Sequence, residues 1–131
     1  MTTFLLDANV LIALTHPEHA HHGPARRWFG SEREVAMCPI SQGALVRFMI
    51  RMGEPARVVA DTMRVLSEHP RVRVWADDVD YADVDLADVT GHGQVTDVYL
   101  AALAVRHGGR LATFDQGLAQ LRPDACELVP G

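Results

Sequence analysis

Short apolar runs alternate with helix-like segments along almost the whole sequence, and this alternation restricts the possible folds more than any other feature. Several of these runs end at proline or aspartate and are too short for stable helices, so we interpret them as strands. When a helix connects two strands of one sheet, the crossover is right-handed and the strands are parallel. The pattern therefore predicts an α/β protein whose mostly parallel sheet is covered by helices on both faces.

The predicted sheet has four or five strands. Strands are expected at residues 3–6, 35–38, 72–75 and 111–114, with a small fifth strand at 127–129. Helices are expected at residues 9–15, 25–29, 41–52, 55–66 and 94–106, with a short acidic helix at 79–86. Ser41 is the candidate N-cap of the third helix, and Pro55 lies at a position that favours the start of the fourth.

The length of 131 residues predicts one domain that spans residues 1–131, enough to bury roughly two thirds of the surface of the unfolded chain. No apolar run approaches the roughly 18 residues of a membrane span, and the N-terminus lacks the pattern of a secretory signal. Cys38 and Cys126 lack CxxC spacing. We therefore expect reduced thiols in a cytoplasmic protein.

The formal net charge of −5 argues against a protein that binds nucleic acid through bulk positive charge. A local basic edge remains compatible with this charge. All twelve cationic residues are arginine, so mechanisms that need a lysine ammonium group are excluded. Arginine also suits bidentate contacts with phosphate.

Two aspartates follow predicted strands and precede helix-like segments. Asp7 has this position in "FLLDANVLIAL", and Asp115 has it in "LATFDQGLAQL". Asp97 lies near the start of the helix in "QVTDVYLAALAVRHG". Because parallel sheets bind ligands at the carboxyl ends of their strands, the three acids are expected to converge at that edge. Taken singly, Asp7 and Asp115 could equally be helix N-caps.

Clustered carboxylates repel one another, and a divalent cation is the simplest means of neutralising them. Oxygen ligands without thiols or well-spaced imidazoles favour Mg²⁺, or Mn²⁺ in its place. Such an ion can orient a water molecule, lower its pKa and stabilise charge that develops on a phosphodiester. The acids therefore predict a metal-dependent nuclease.

Three segments resemble the PIN-domain nucleases, and among them the VapC-type toxins of bacterial toxin–antitoxin pairs. They are "FLLDANVLIAL", "CPISQGALVRF" and "GQVTDVYLAALAVRHGGRLATFD", in the order typical of that family over nearly the whole chain. The resemblance implies a three-layer α/β/α sandwich and endonucleolytic cleavage of structured RNA such as tRNA or rRNA. It also implies a homodimer and inhibition by a cognate antitoxin.

The resemblance also implies roles for particular residues. Asp7 and Asp97 correspond to the main metal ligands, Asp115 completes the acidic pocket, and Asn9 helps to organise it. Independently of the resemblance, Thr96 or Gln94 next to Asp97 could cap the helix in its place, and Thr96 is therefore a supporting residue.

One departure concerns the helix at residues 41–52, where the family usually carries a glutamate. Either Gln42 or Ala44 stands at that position here. Gln42 could still orient a metal-bound water through its amide oxygen, so it is a candidate catalytic residue. The departure leaves a second metal ion and the catalytic strength open.

Other charged and polar residues have alternative interpretations. Arg47 and Arg51, one helical turn apart, are candidates for binding phosphate or an antitoxin carboxylate, although solvent exposure alone would explain them. A histidine-rich segment indicates a surface or substrate-edge role rather than zinc, because it lacks partner cysteines. Acidic residues between 77 and 88 are expected to form a solvated helix face.

Two rival functions follow from the same residues. A phosphoacceptor domain also places aspartates at strand ends, but such domains usually need a lysine at the site, and the sequence has none. The other rival is a PIN-like module with weak or absent catalysis that acts through RNA or protein binding. The missing glutamate keeps this second alternative open.

Overall fold

The computed structural model describes residues 1–131. Its strands are β1 (Thr3–Leu6), β2 (Glu34–Met37), β3 (Val72–Val74), β4 (Arg110–Thr113) and β5 (Cys126–Leu128). Its helices are α1 (Ala8–Thr15), α2 (His22–Phe29), α3 (Pro39–Arg51), α4 (Ala56–Glu68), α5 (Val95–Arg106) and α6 (Gln116–Leu121). Short 3₁₀ turns occur at Tyr81–Asp83 and His92–Gln94.

The five strands form one sheet in the order β3-β2-β1-β4-β5. Every pair of neighbours is parallel, so the predicted parallel α/β architecture is confirmed. The first strand, β1, lies at the centre between β2 and β4. Because the order reverses at β1, the edge beyond its carboxyl end is where an open parallel sheet binds ligands.

The sheet separates two apolar cores. Leu5 belongs to the core that α5 covers, and the next residue, Leu6, belongs to the core that includes residues of α1 and α2. Successive strand residues point to opposite faces, so a strand that is covered on both sides is apolar throughout. This is the physical reason for the continuous apolar runs in the sequence.

The start of α3 differs from the prediction. Ser41 is not the N-cap, because Cys38 holds that position and the helix begins at Pro39. Proline suits the first helical position, where no backbone N–H is needed. Ser41 is the third helical residue, and its hydroxyl accepts a hydrogen bond of 3.1 Å from the backbone N–H of Cys38. The serine therefore stabilises the helix start from inside.

The predicted helix at 79–86 is also wrong, since only Tyr81–Asp83 form a 3₁₀ turn there. The carboxylate of Asp80 accepts a hydrogen bond of 2.8 Å from the backbone N–H of Ala82. The Asp85 carboxylate likewise accepts a hydrogen bond of 3.0 Å from the backbone N–H of Ala87. Aspartate side chains that bond nearby backbone groups compete with a helix, and here they replace it with turns.

The two cysteines lie in the interior of the protein. Cys38 and Cys126 are both buried and unpaired, and burial raises the pKa of the Cys126 thiol to about 11. None of the helices combines the length and the apolar character that crossing a bilayer requires.

Candidate active site

The pairing of β1 with β4 brings two of the predicted acids to one edge of the sheet. Leu6 is in register with Ala112, and the backbone N–H of Asp7 donates a hydrogen bond of 3.0 Å to the Ala112 carbonyl. Asp7 directly follows β1, and Asp115 lies two residues beyond the end of β4. Adjacent strands thus end in adjacent acids, although the two residues are far apart in the sequence.

Thr113, the last residue of β4, links these two acids. Its hydroxyl donates a hydrogen bond of 2.8 Å to Oδ2 of Asp7 and accepts one of 3.0 Å from the backbone N–H of Asp115. The side chain is fully buried, with 0% exposure. Sequence reasoning missed Thr113. The available signal was a hydroxyl residue at a strand end, two positions before a candidate acid.

Asp7 and Asp115 are both helix caps, as one of the two interpretations predicted. Oδ1 of Asp7 accepts a hydrogen bond of 2.8 Å from the backbone N–H of Ala8. Oδ1 of Asp115 accepts one of 3.1 Å from the backbone N–H of Leu118 at the start of α6. Capping fixes the orientation of each carboxylate by local bonds. It is therefore compatible with a shared site, which stays a prediction.

Asp97 has no such capping role. It is the third residue of α5, whose N-cap is Gln94, and the Gln94 amide oxygen accepts a hydrogen bond of 2.8 Å from the backbone N–H of Thr90. The surroundings of Asp97 raise its pKa to about 6, first through burial and then through the charges of Asp7 and Asp115. No hydrogen bond counters this effect. Asp97 is thus a half-buried acid without an ion pair to arginine or histidine.

The pKa of Asp7 is raised as well, chiefly by burial. Hydrogen bonds from Thr113 and Ala8 oppose this shift, and the negative charge of Asp115 adds to it. Only 8% of Asp7 is exposed. Since Asp7 and Asp97 both respond to neighbouring acids, the three carboxylates behave as one electrostatic group.

The donor set of this edge matches a hard divalent cation. None of the three acids forms an ion pair with arginine or histidine, so the protein supplies no positive charge to balance them. The side chains do not form a closed cage, because no three histidine, cysteine, aspartate or glutamate side chains are grouped closely enough to enclose an ion. An ion that keeps several water ligands and contacts only one or two carboxylates, as Mg²⁺ does, fits this open arrangement.

The remaining predicted site residues lie around this edge or on α3. Asn9 and Thr96 are exposed second residues of α1 and α5. Arg47 and Arg51 are exposed and form no ion pair. The guanidinium of Arg47 folds back along α3, with Nη1 3.4 Å from the position that a Cβ on Gly43 would occupy.

Gln42 and Ala44 lie on different sides of α3. Ala44 is one turn after Ile40, which packs against the core that α5 covers. Gln42 is two turns before Met49, which packs against the opposite core. Residues one or two turns apart share a helix face. Gln42 and Ala44 are both half-buried, and the position of the family's glutamate stays open between them.

The side chains of the histidine-rich segment, like the three acids, are not grouped closely enough in this structure to enclose a metal ion. The proximity of its imidazoles contributes to a lowered pKa of His19, after the larger effect of burial. His21 lies against Phe114, with ring centroids 4.9 Å apart. The segment therefore reaches the strand end that carries Asp115.

Comparison with known proteins identifies the family. The PIN domain model matches residues 4–122. Ribonuclease VapC29 of Mycobacterium tuberculosis is 48% identical over 129 residues, which cover 98% of this chain and 97% of the relative. Ribonuclease VapC38 of the same species is 41% identical, with 91% and 92% covered. The chain belongs to the VapC ribonucleases of the PIN-domain family.

Solved structures confirm the PIN fold independently of close sequence similarity. Rickettsia felis VapBC2, crystallised with a DNA fragment from its promoter, superposes with a TM-score of 0.67 at 11% identity, covering 98% of this chain and 100% of that one. Mycobacterium tuberculosis VapC20, described as a Sarcin-Ricin loop cleaving toxin, gives a TM-score of 0.64 at 21% identity, with 90% and 94% covered. In both cases the structural similarity to this chain is in the three-layer α/β architecture.

The raised pKa of Asp97 has a consequence for stability in the absence of metal. The carboxyl group has an ordinary pKa of 3.8 and titrates at about 6 in the folded protein, so between these values the folded state binds more protons than the unfolded state. Stability therefore falls as pH rises through this window. We expect Asp97→Asn to raise the melting temperature in EDTA at pH 7 by about 3 °C, with little effect at pH 4.

Differential scanning fluorimetry across pH 4–8 measures this difference. Asp124→Asn serves as the matched control, because Asp124 is an exposed acid outside the cluster. An Asp97→Asn protein that melts at or below the wild-type temperature at pH 7 would show that Asp97 is not destabilised by its neighbours.

Proposed function

We propose that this chain is a single-domain, metal-dependent endoribonuclease that acts as the toxin of a toxin–antitoxin pair. The observation that carries the proposal is the group formed by Asp7, Asp97 and Asp115. Burial and mutual repulsion raise the pKa values of Asp7 and Asp97, and no arginine or histidine neutralises the group. Membership of the VapC ribonucleases supplies the substrate class.

In this proposal Asp7 and Asp97 hold the cation and Asp115 completes the pocket. Mg²⁺ is the physiological ion, and Mn²⁺ can substitute for it. Such an ion, when bound, offsets the clustered charge, activates water and stabilises charge on the phosphodiester. Thr113 is a positioning residue, since its hydroxyl orients the Asp7 carboxylate at 2.8 Å. Asn9 and Thr96 support the two main ligands from the helix starts.

The substrate in this proposal is structured RNA such as tRNA or rRNA. A solved relative, VapC20, is described as cleaving the Sarcin-Ricin loop, which supports RNA as the substrate class. Arg47 and Arg51 are exposed arginines without an acidic partner, and guanidinium groups suit contacts with phosphate. We assign them to the RNA backbone outside the acidic pocket.

Cleavage of RNA by the purified, antitoxin-free protein tests the proposal. We expect Mg²⁺ or Mn²⁺ to support endonucleolytic cuts in structured RNA, and excess EDTA to abolish them. Asp97→Asn should lower the rate at least about 100-fold while the protein stays folded, because loss of the ligand removes transition-state stabilisation. Gel analysis of end-labelled RNA measures the rate, with Asp124→Asn as the control. Full activity in the folded Asp97→Asn protein would refute the site assignment.

A catalytically weak or inactive binding module is the second candidate. The specific observation that favours it is the absence of an acid on α3, where the family usually carries a glutamate. Undetectable metal-dependent cleavage, together with retained RNA or antitoxin binding, would support this module over the enzyme.

Ala44 is the better candidate for the position of that missing acid. It lies one turn after Ile40, which packs against the core that includes residues of α5, whereas Gln42 lies two turns before Met49, which packs against the opposite core. We therefore expect Ala44→Glu to tighten Mn²⁺ binding about tenfold, because a carboxylate holds a hard cation better than a methyl or amide group does. Gln42→Glu should change the affinity little.

Titration calorimetry with Mn²⁺ measures this ranking separately from turnover. Gln42→Glu is the matched control, since both variants add one carboxylate to the same helix. Tighter binding by Gln42→Glu alone would place Gln42 at the site and restore its role as a catalytic residue.

We also propose that the protein is a cytoplasmic homodimer inhibited by a cognate antitoxin. An apolar cavity of about 590 Å³ between α1, α2, α4 and the sheet supports the antitoxin contact, because Leu14, Phe29 and Leu66 line it beside three arginines, Arg26, Arg27 and Arg71. An apolar antitoxin segment with acidic residues fits this lining. Light scattering should give the mass of a dimer, and the adjacent gene product should inhibit cleavage. A monomer at micromolar concentrations, without inhibition, would contradict both assignments.

A further inference from the structure

An aromatic pair lies directly beside the acidic site. The His21 ring packs against Phe114 with centroids 4.9 Å apart and planes tilted by 31°. Phe114 stands between Thr113, which bonds Asp7, and Asp115. The pair is therefore tied by the chain itself to the strand end that forms the acidic pocket.

The two side chains occupy the face of β4 away from α5. Phe114 packs against the core that contains Leu6 and Ala112, whereas Asp97 is on α5, which covers the other face. An RNA strand that crosses the carboxyl edge of the sheet would meet the acids on one side of β4. It would meet the aromatic pair on the other side.

The imidazole of His21 is available for contact with a ligand. His21 is exposed and precedes α2 as its N-cap, but its side chain does not cap the helix. Its backbone N–H donates a hydrogen bond of 3.0 Å to Nδ1 of His19, which fixes the local backbone. The ring packs against Phe114, with centroids 4.9 Å apart, and the His19 ring lies 5.8 Å away between centroids. The backbone of Gly131 also lies near the imidazole.

We propose that His21 and Phe114 form a platform on which one unpaired nucleobase of the RNA stacks next to the scissile phosphate. Aromatic and imidazole rings stack on bases that are splayed out of loops and single strands. Stacking would add affinity that does not depend on positive charge, in a protein whose formal net charge is −5. This inference rests on the proposed ribonuclease function.

Binding measurements on the Asp97→Asn protein test the platform without cleavage. The probe is a fluorescently labelled single-stranded RNA of roughly 12 nucleotides and mixed sequence, compared with an abasic strand of the same length. We expect His21→Ala to weaken binding of the RNA about tenfold and to leave binding of the abasic strand unchanged. His21→Phe should bind the RNA within about twofold of His21, because phenylalanine also stacks.

Salt dependence separates stacking from a phosphate contact. The Kd of the His21→Ala protein divided by the Kd of its parent should be the same at low and at high salt. If His21 contacted a phosphate instead, this ratio would decrease as the salt concentration rises. His69→Ala is the matched control, since His69 lies beside Phe29 at the end of α4 and far along the chain from the acids. It should bind the RNA like the parent.

The possible outcomes distinguish the two proposals. If the wild-type protein cleaves RNA but His21→Ala binds the RNA as tightly as the parent, the platform is refuted and the nuclease stands. Failure of His21→Phe to restore binding, or a salt-dependent ratio, would likewise refute stacking. If the wild-type protein neither cleaves nor binds any RNA, the proposed function itself fails.

Discussion

The parallel pairing of β1 with β4 is the constraint on which the candidate site depends. The register that opposes Leu6 to Ala112 ends both strands at one edge, so Asp7, Thr113 and Asp115 become neighbours across a long separation in sequence. The buried Thr113 hydroxyl then connects the Asp7 carboxylate to the Asp115 backbone. Apolar cores on both faces of the sheet fix this pairing, and the geometry of the site follows from it.

The same geometry concentrates negative charge where no arginine or histidine forms an ion pair with it. Burial and neighbouring carboxylates raise the pKa of Asp97 to about 6. The ionised carboxylate of Asp97 is therefore less stable in the folded protein than it would be in water. Proteins commonly retain such destabilising groups at functional sites, where a ligand provides the missing interaction. The open arrangement of the three acids and their oxygen chemistry match a hydrated divalent cation. The same repulsion between carboxylates is therefore expected to lower the stability of the metal-free protein and to favour binding of a cation.

Sequence patterns predicted the features that depend on regular periodicity. Continuous apolar runs predicted doubly covered strands, and acids directly after those runs predicted Asp7 and Asp115 at one edge. The start of α3 was predicted two residues late, because Ser41 was interpreted as the N-cap, whereas its hydroxyl accepts a bond from the Cys38 N–H inside the first turn. The helix at 79–86 was predicted wrongly, because the Asp80 carboxylate bonds a nearby backbone N–H and favours a turn. Thr113 and the His21–Phe114 pair were not predicted, because the contacts that define them exist only after the strands and helices pack.

Anomalous diffraction from crystals grown with Mn²⁺ tests most directly whether the three acids form one cation site. We expect a single strong anomalous peak within ligand distance of Asp7 or Asp97, at the edge where β1 and β4 end. This peak should be absent from crystals of Asp97→Asn. A peak at the histidine-rich segment around His21, or the same peak in the Asp97→Asn crystals, would show that these carboxylates do not form the metal site.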